Sequence, residues 1–317
     1  MPFERGPRRW TQTAATKGAR MHDLDHGPAL DRTTQLTRGL HWLLAAQGDA
    51  LAAVLRGHQH DPAAAAAALR APGPVWRSRT GHWVVAARAA AATALDHPGL
   101  AQPPLAGALS TVDVAARDAV LSGAPAEFDA ADLAWRSAVA ALGGDPADPE
   151  WAAAAPVLDA ALAPPRPAVA RALATSGVAP VAAAAARLGA ALAADALALR
   201  LAGDGSDEAA LLAAVHAGEP VVQLVLTTAT TDVALAGEQV APGESVVIAL
   251  CAANRDPEGA GAPLLPGGPL AAPLAFAHAH AEAVLTALPE SLRPTGPAVR
   301  ASRAPVTRPL VRLPVAR

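Results

Sequence analysis

The chain has 317 residues and a formal net charge of −3, with 52% hydrophobic but only 3% aromatic residues, long enough to bury a sizeable core in one large domain or two ordinary ones. A pI of about 6.4 argues against nucleic-acid binding. The single cysteine, Cys251, excludes a disulfide framework and a cysteine-based zinc site.

Lys17 is the only lysine, Asn254 the only asparagine and Ile248 the only isoleucine. With abundant Ala, Arg, Gly and Pro, this skew indicates a coding sequence of very high G+C content, and much of the alanine reads as mutational drift. Alanine buries little area per side chain, so the core is expected to rest on Leu, Val and Trp. The start, MPFERGPRRW, lacks the apolar stretch of a signal peptide. The Ala-rich stretch 181–199 is interrupted by Arg187 and Asp195 and reads as too weakly apolar to span a bilayer. The expectation is a soluble cytoplasmic protein that binds neither membrane nor nucleic acid, with the basic segments Arg5–Arg9 and Arg300–Arg317 solvated.

Residues 1–32 are polar and irregular and predict a flexible arm. From Thr33, with Thr33 or Thr34 as cap, Leu36, Leu40 and Leu43 recur at helical spacing. Leu51, Val54 and Leu55 form a second short stripe, stopped by Gly57. Two extended runs, VWRSR and HWVVA, flank a tight turn at Thr80-Gly81, and ARAAAATALDHPG predicts a helix stopped at His97-Pro98-Gly99. Residues 100–206 are Ala-rich, with room for at least three helices between Pro and Gly breaks. EAALLAAVHAG predicts a helix capped by Ser206 or Asp207. VVQLVLTT, DVALAGEQ and ESVVIAL predict strands, the last two joined as a hairpin at Ala241–Glu244. A helix over 276–288 ends at Pro289, and the proline-bearing tail predicts edge strands. The fold class is mainly α with small, mostly antiparallel β regions.

The candidate chemistry is thin. Asn254-Arg255-Asp256-Pro257 reads as a hydrogen-bonded turn after a strand. Cys251, among apolar neighbours, reads as a structural, inert thiol. His278 and His280, two apart on a helix, point to different faces. HDLDH (22–26) carries His and Asp in an irregular segment, and no metal site is expected. There is no Gly-x-Ser-x-Gly turn and no phosphate loop with its lysine. Trp42, beside His41 and Arg38, joins the residue types that anchor interfaces.

RSRTGHWVVAARAAAATALDHPGL, VALAGEQVAPGESVVIALCAANRDP, AFAHAHAEAVLTALP and PVTRPLVRLPV, in this order, resemble a bacterial cytochrome P-450. LTRGLHWLLAAQGDALAAVLRGHQHDP is similar to the opening of the P-450-derived auxiliary proteins that activate glycosyltransferases in macrolide and anthracycline pathways. The resemblance covers roughly 33–100 and 207–317 and implies a single, shortened cytochrome P-450-like domain over 33–317, with 100–206 unrecognisable. It implies a haem-free activator of a deoxysugar-transferring glycosyltransferase, held in a heteromeric complex. No cysteine lies between Phe276 and Pro289, no Glu-x-x-Arg in 207–222 and no threonine in 178–201, so haem oxygenation lacks its thiolate. The partner-interface candidates are Leu36, Arg38, Leu40, His41 and Trp42, with no catalytic or cofactor-binding residue expected. The competing reading is a haem protein ligated through His278 or His280, or a small-molecule binder using the old pocket.

Overall fold

The computed structural model describes residues 32–57, 61–163, 172, 174–203, 207–259, 261–301 and 304–317. The expected arm lies outside these residues except for Arg32, which opens α1 (Arg32–Ala46). Thr33 and Thr34 sit inside the first turn of that helix rather than capping it. Asp49 caps α2 (Ala50–Arg56), accepting from Ala52 N at 2.9 Å, and Gly57 stops it in the left-handed region. Asp61 caps α3 (Pro62–Arg70) and Pro62 opens it, an added helix between α2 and β1. β1 (Val75–Arg77) and β2 (Trp83–Val85) form the expected hairpin, with Gly81 at φ 93° in its turn. α4 (Arg88–Leu95) ends ahead of Pro98, and β3 (Leu100–Ala101) follows.

The Ala-rich middle holds α5 (Val114–Ser122), β4 (Glu127–Asp129), α6 (Ala130–Ala141), α7 (Pro149–Ala154) and the 22-residue α8 (Pro180–Leu201). Asp207 caps α9 (Glu208–Gly218) by accepting from Ala210 N; Ser206, the other candidate cap, lies outside the described residues. β5 (Leu224–Ala229), β6 (Val233–Leu235), β7 (Glu238–Val240), β8 (Ser245–Ala249) and α10 (Leu250–Ala253) come next. α11 (Ala271–Ala287) leads into β9 (Arg293–Pro294), β10 (Val299–Arg300), β11 (Leu310–Arg312) and β12 (Pro314–Ala316).

The main sheet runs β1-β2-β8-β5-β3 and is antiparallel except where β2 meets β8. It therefore joins strands from both ends of the chain. Two strand expectations fail. DVALAGEQ is itself a hairpin, β6 with β7, turning on Ala236 (φ 47°) and Gly237 (φ 93°). Two successive positive φ angles match the twist of such a hairpin, so the turn at Ala241–Glu244 instead delivers β8 to β5. The tail is not all edge: β12 lies between β4 and β9, and Pro314 fits as its first residue.

α8 is the axis of the core, packed by α6, α9 and α11. It is long and apolar enough to cross a membrane by length and composition, contrary to expectation, yet 89% of that stretch is buried in the protein. Its alanines (183–186, 190, 191, 193 and 194) are buried. They are packing residues, because a small side chain lets neighbouring helices approach closely. Trp83, Trp135 and Trp151 are buried, whereas Trp42 is 60% exposed.

Candidate functional site

The interior where α8 meets α11 is filled by side chains. A Cβ at Gly189 would lie 3.0 Å from Phe276 Cε1 and 3.3 Å from His280 Cδ2. Phe276 and His280 stack with centroids 5.6 Å apart. His280 Nε2 lies 3.2 Å from the Ala134 carbonyl and 3.3 Å from Ser137 Oγ, and burial pushes the imidazole down to about 4, so it is neutral near pH 7. His278 faces another way, as the spacing predicts: its Nε2 lies 3.0 Å from Nε2 of His216 on α9. Cys251 is buried on α10, which packs against α3 and α4, and burial pushes its thiol up to about 11. Asn254 and Asp256 form the expected turn: Asn254 Nδ2 donates to the His216 and Leu264 carbonyls, and Asp256 accepts from Arg88 N.

Two buried charge groups tie α8 to the C-terminal segment. Asp159 accepts from Val306 N, Thr307 N and Thr307 Oγ1, while Arg187 Nε donates to Thr307 Oγ1. Burial pushes the Asp159 carboxyl up and the Arg187 guanidinium down, each opposed by the other's charge. Asp195 lies 2.9 Å from Arg300, which also meets Glu219 at 3.1 Å. Burial, against the pull of Arg300, still raises Asp195 to about 7. Arg300 was expected to be a solvated tail residue. The signal for it is Arg187 and Asp195 in the middle of an apolar 22-residue run, which require partners once that run is core.

The expected interface segment lies on α1. Leu36 (65% exposed), Leu40 (48%) and Leu43 (55%) share one helix face, and Trp42 (60%) is exposed about 100° round the helix from Leu43. Leu43 extends the candidate set. The Arg56 guanidinium sits 4.8 Å over the Trp42 ring. Arg38 is half-buried and already engaged within the protein. His41 is no surface anchor: it is 8% exposed and turned toward His82 and Asp49, with burial lowering its pKa. One residue step rotates a helix by about 100°, so neighbours of Trp42 need not share its face. Among the described residues no three His, Cys, Asp or Glu side chains are grouped to hold a metal ion, and HDLDH lies outside them.

No family model matches the chain. It is 32% identical over 353 residues to cytochrome P450 family protein EryCII of Saccharopolyspora erythraea, covering 90% of this chain and 97% of that protein. It is 51% identical over 59 residues to protein DesVIII of Streptomyces venezuelae, 19% of this chain and 15% of that one. Its fold is similar to that of ligand-free CYP164A2 of Mycobacterium smegmatis, with TM-score 0.62 at 19% identity over 84% of this chain and 99% of that one.

Proposed function

The chain belongs to the cytochrome P450 family, and from that premise we propose that it is a non-catalytic partner protein that activates and stabilises a glycosyltransferase. The transferase attaches a deoxysugar to a polyketide-type aglycone, and the pair works in the cytoplasm as a hetero-oligomer. The observation that carries this reading is the exposed apolar face of α1, with Leu36, Leu40, Leu43 and Trp42 presented to solvent. Exposed leucines in a row mark a surface that another protein covers. A partner shifts the transferase toward its active conformation by binding that conformation better, and stabilises it by the same linkage.

No cofactor is assigned, because the residues present do not fit a haem. Thiolate ligation would fall to Cys251, whose buried thiol is raised to about 11 and which lies on α10, away from the α8–α11 packing. Phe276 and His280 of α11 already fill the space beside Gly189 of α8. The alternative of haem held by His278 or His280 draws no support from the geometry: His280 is buried with Nε2 3.2 Å from the Ala134 carbonyl, and His278 faces the His216 ring with centroids 5.0 Å apart, which leaves no room for a porphyrin plane between them.

The test is turnover of the pathway's glycosyltransferase co-expressed with and without this protein. The expected result is a large rise that needs no haem. Arg38→Ala/Trp42→Ala is expected to fold and to lose most of that rise. A well-folded transferase with unchanged turnover sinks the activator reading, and a folded double variant that activates fully moves the surface elsewhere. A Soret band in the purified protein would restore the haem reading.

A further inference from the structure

We propose that His216 and His278 form an exchangeable binding site for a zinc-type divalent ion that ties α9 to α11. The geometry carries it. The two Nε2 atoms, from different helices, point at one another 3.0 Å apart, with ring centroids 5.0 Å apart and planes inclined by 19°. Two imidazoles on a tetrahedral zinc, with Zn–N of about 2.0–2.1 Å, hold their nitrogens about 3.3–3.4 Å apart. The pair therefore needs to open by only about 0.3–0.4 Å to admit the ion.

The protonation chemistry agrees. With both rings neutral, the pair holds one Nε2–H···Nε2 bond, and an ion replaces it with two stronger contacts. His216 Nδ1 is buried without a hydrogen-bond partner. It is unsatisfied whichever tautomer the ring adopts, so binding through Nε2 adds no further desolvation there. His278 is half-buried, leaving an approach for the ion. Glu282, exposed and one turn along α11, acts electrostatically on His278 and favours a cation beside it. Two nitrogens and water make an open, exchangeable site, unlike the closed four-ligand sites of structural zinc.

The experiment is calorimetric titration of the full chain with zinc chloride, alongside thermal unfolding with and without the ion. Wild type, His278→Ala, His278→Asn and Glu282→Gln are compared, each checked for folding by circular dichroism. Wild type is expected to bind one equivalent more than either His278 variant and to show a zinc-dependent rise in Tm that both lose. Glu282→Gln keeps the equivalent but binds it more weakly. Other histidines can take up zinc, so the difference between proteins is the readout. Equal stoichiometry and an equal Tm rise in wild type and His278→Asn would overturn the site. No transferase enters this measurement, so its outcome is independent of the activator reading.

Discussion

Single residues decide how closely the two central helices approach. Gly189 sits in the middle of α8, where glycine costs about 1 kcal/mol of helix propensity relative to alanine. Its neighbours give the reason: the Phe276 ring edge and His280 occupy the place a side chain would take. Gly189→Val is therefore expected to destabilise the protein by about 1–3 kcal/mol through overpacking. Urea denaturation monitored by circular dichroism measures this. Phe276→Leu added to Gly189→Val should recover part of the loss, since residues in contact are not additive. A valine variant as stable as wild type would mean that α8 and α11 are not packed in solution as described. Asp159 belongs to the same scale: one carboxylate meets three donors from Val306 and Thr307 while facing Arg187. It fixes the tail to the core by hydrogen bonding, since burial alone would disfavour its charge.

At the scale of elements, α1 is the outlier, because Leu36, Leu40 and Leu43 face solvent and Leu44 is buried, while both leucines of α2 are buried. Leu36→Ser/Leu40→Ser/Leu43→Ser is expected to change stability by no more than about 0.5 kcal/mol per site, as exposed positions do, yet to abolish transferase activation. A urea curve and the co-expression turnover assay together check it; retained activation would remove α1 as the docking face. The existence of α1 was legible in the spacing of those leucines, but its exposure was not. Periodicity finds a stripe and is silent about what covers it. His41 was grouped with Trp42 by adjacency in sequence, whereas the helix turns it inward. The β6–β7 hairpin was missed because Ala236-Gly237 is a faint marker beside Pro242-Gly243, although Ala236 is the residue held at positive φ. β5, β8 and the Asp207 cap were readable because their signals are local. The partners of Arg187, Asp195 and Arg300 were not, since pairing between residues far apart in the chain leaves no local trace.

For the whole molecule, these buried groups set how stability responds to pH. His216 and His280 are held at about 4, and burial lowers His41, His82 and His278, against an ordinary value of 6.5. A group lowered on folding binds its proton more readily in the unfolded chain, so stability rises with pH between about 4 and 6.5. For His216 and His280 the gap is worth at most roughly 3 kcal/mol each. Asp195 acts the other way. Raised from 3.8 to about 7, it binds its proton more tightly in the folded state, so its contribution is full below pH 3.8 and declines as pH rises through 7. Five histidines outweigh this carboxyl across the acid range; above pH 6.5 their contribution is complete, while the raised carboxyls of Asp195 and Asp159 still oppose it. Stability is therefore expected to climb steeply from pH 4, peak near pH 6.5 and ease slightly toward pH 7.5. Asp195→Asn should steepen the climb and reduce the decline. Urea midpoints for both proteins at half-unit steps from pH 4 to 8 provide the check. A flat wild-type profile over pH 4–6.5 would mean that the histidines titrate freely in the folded protein, and that the interior around α8 and α11 is wet and open instead of closed.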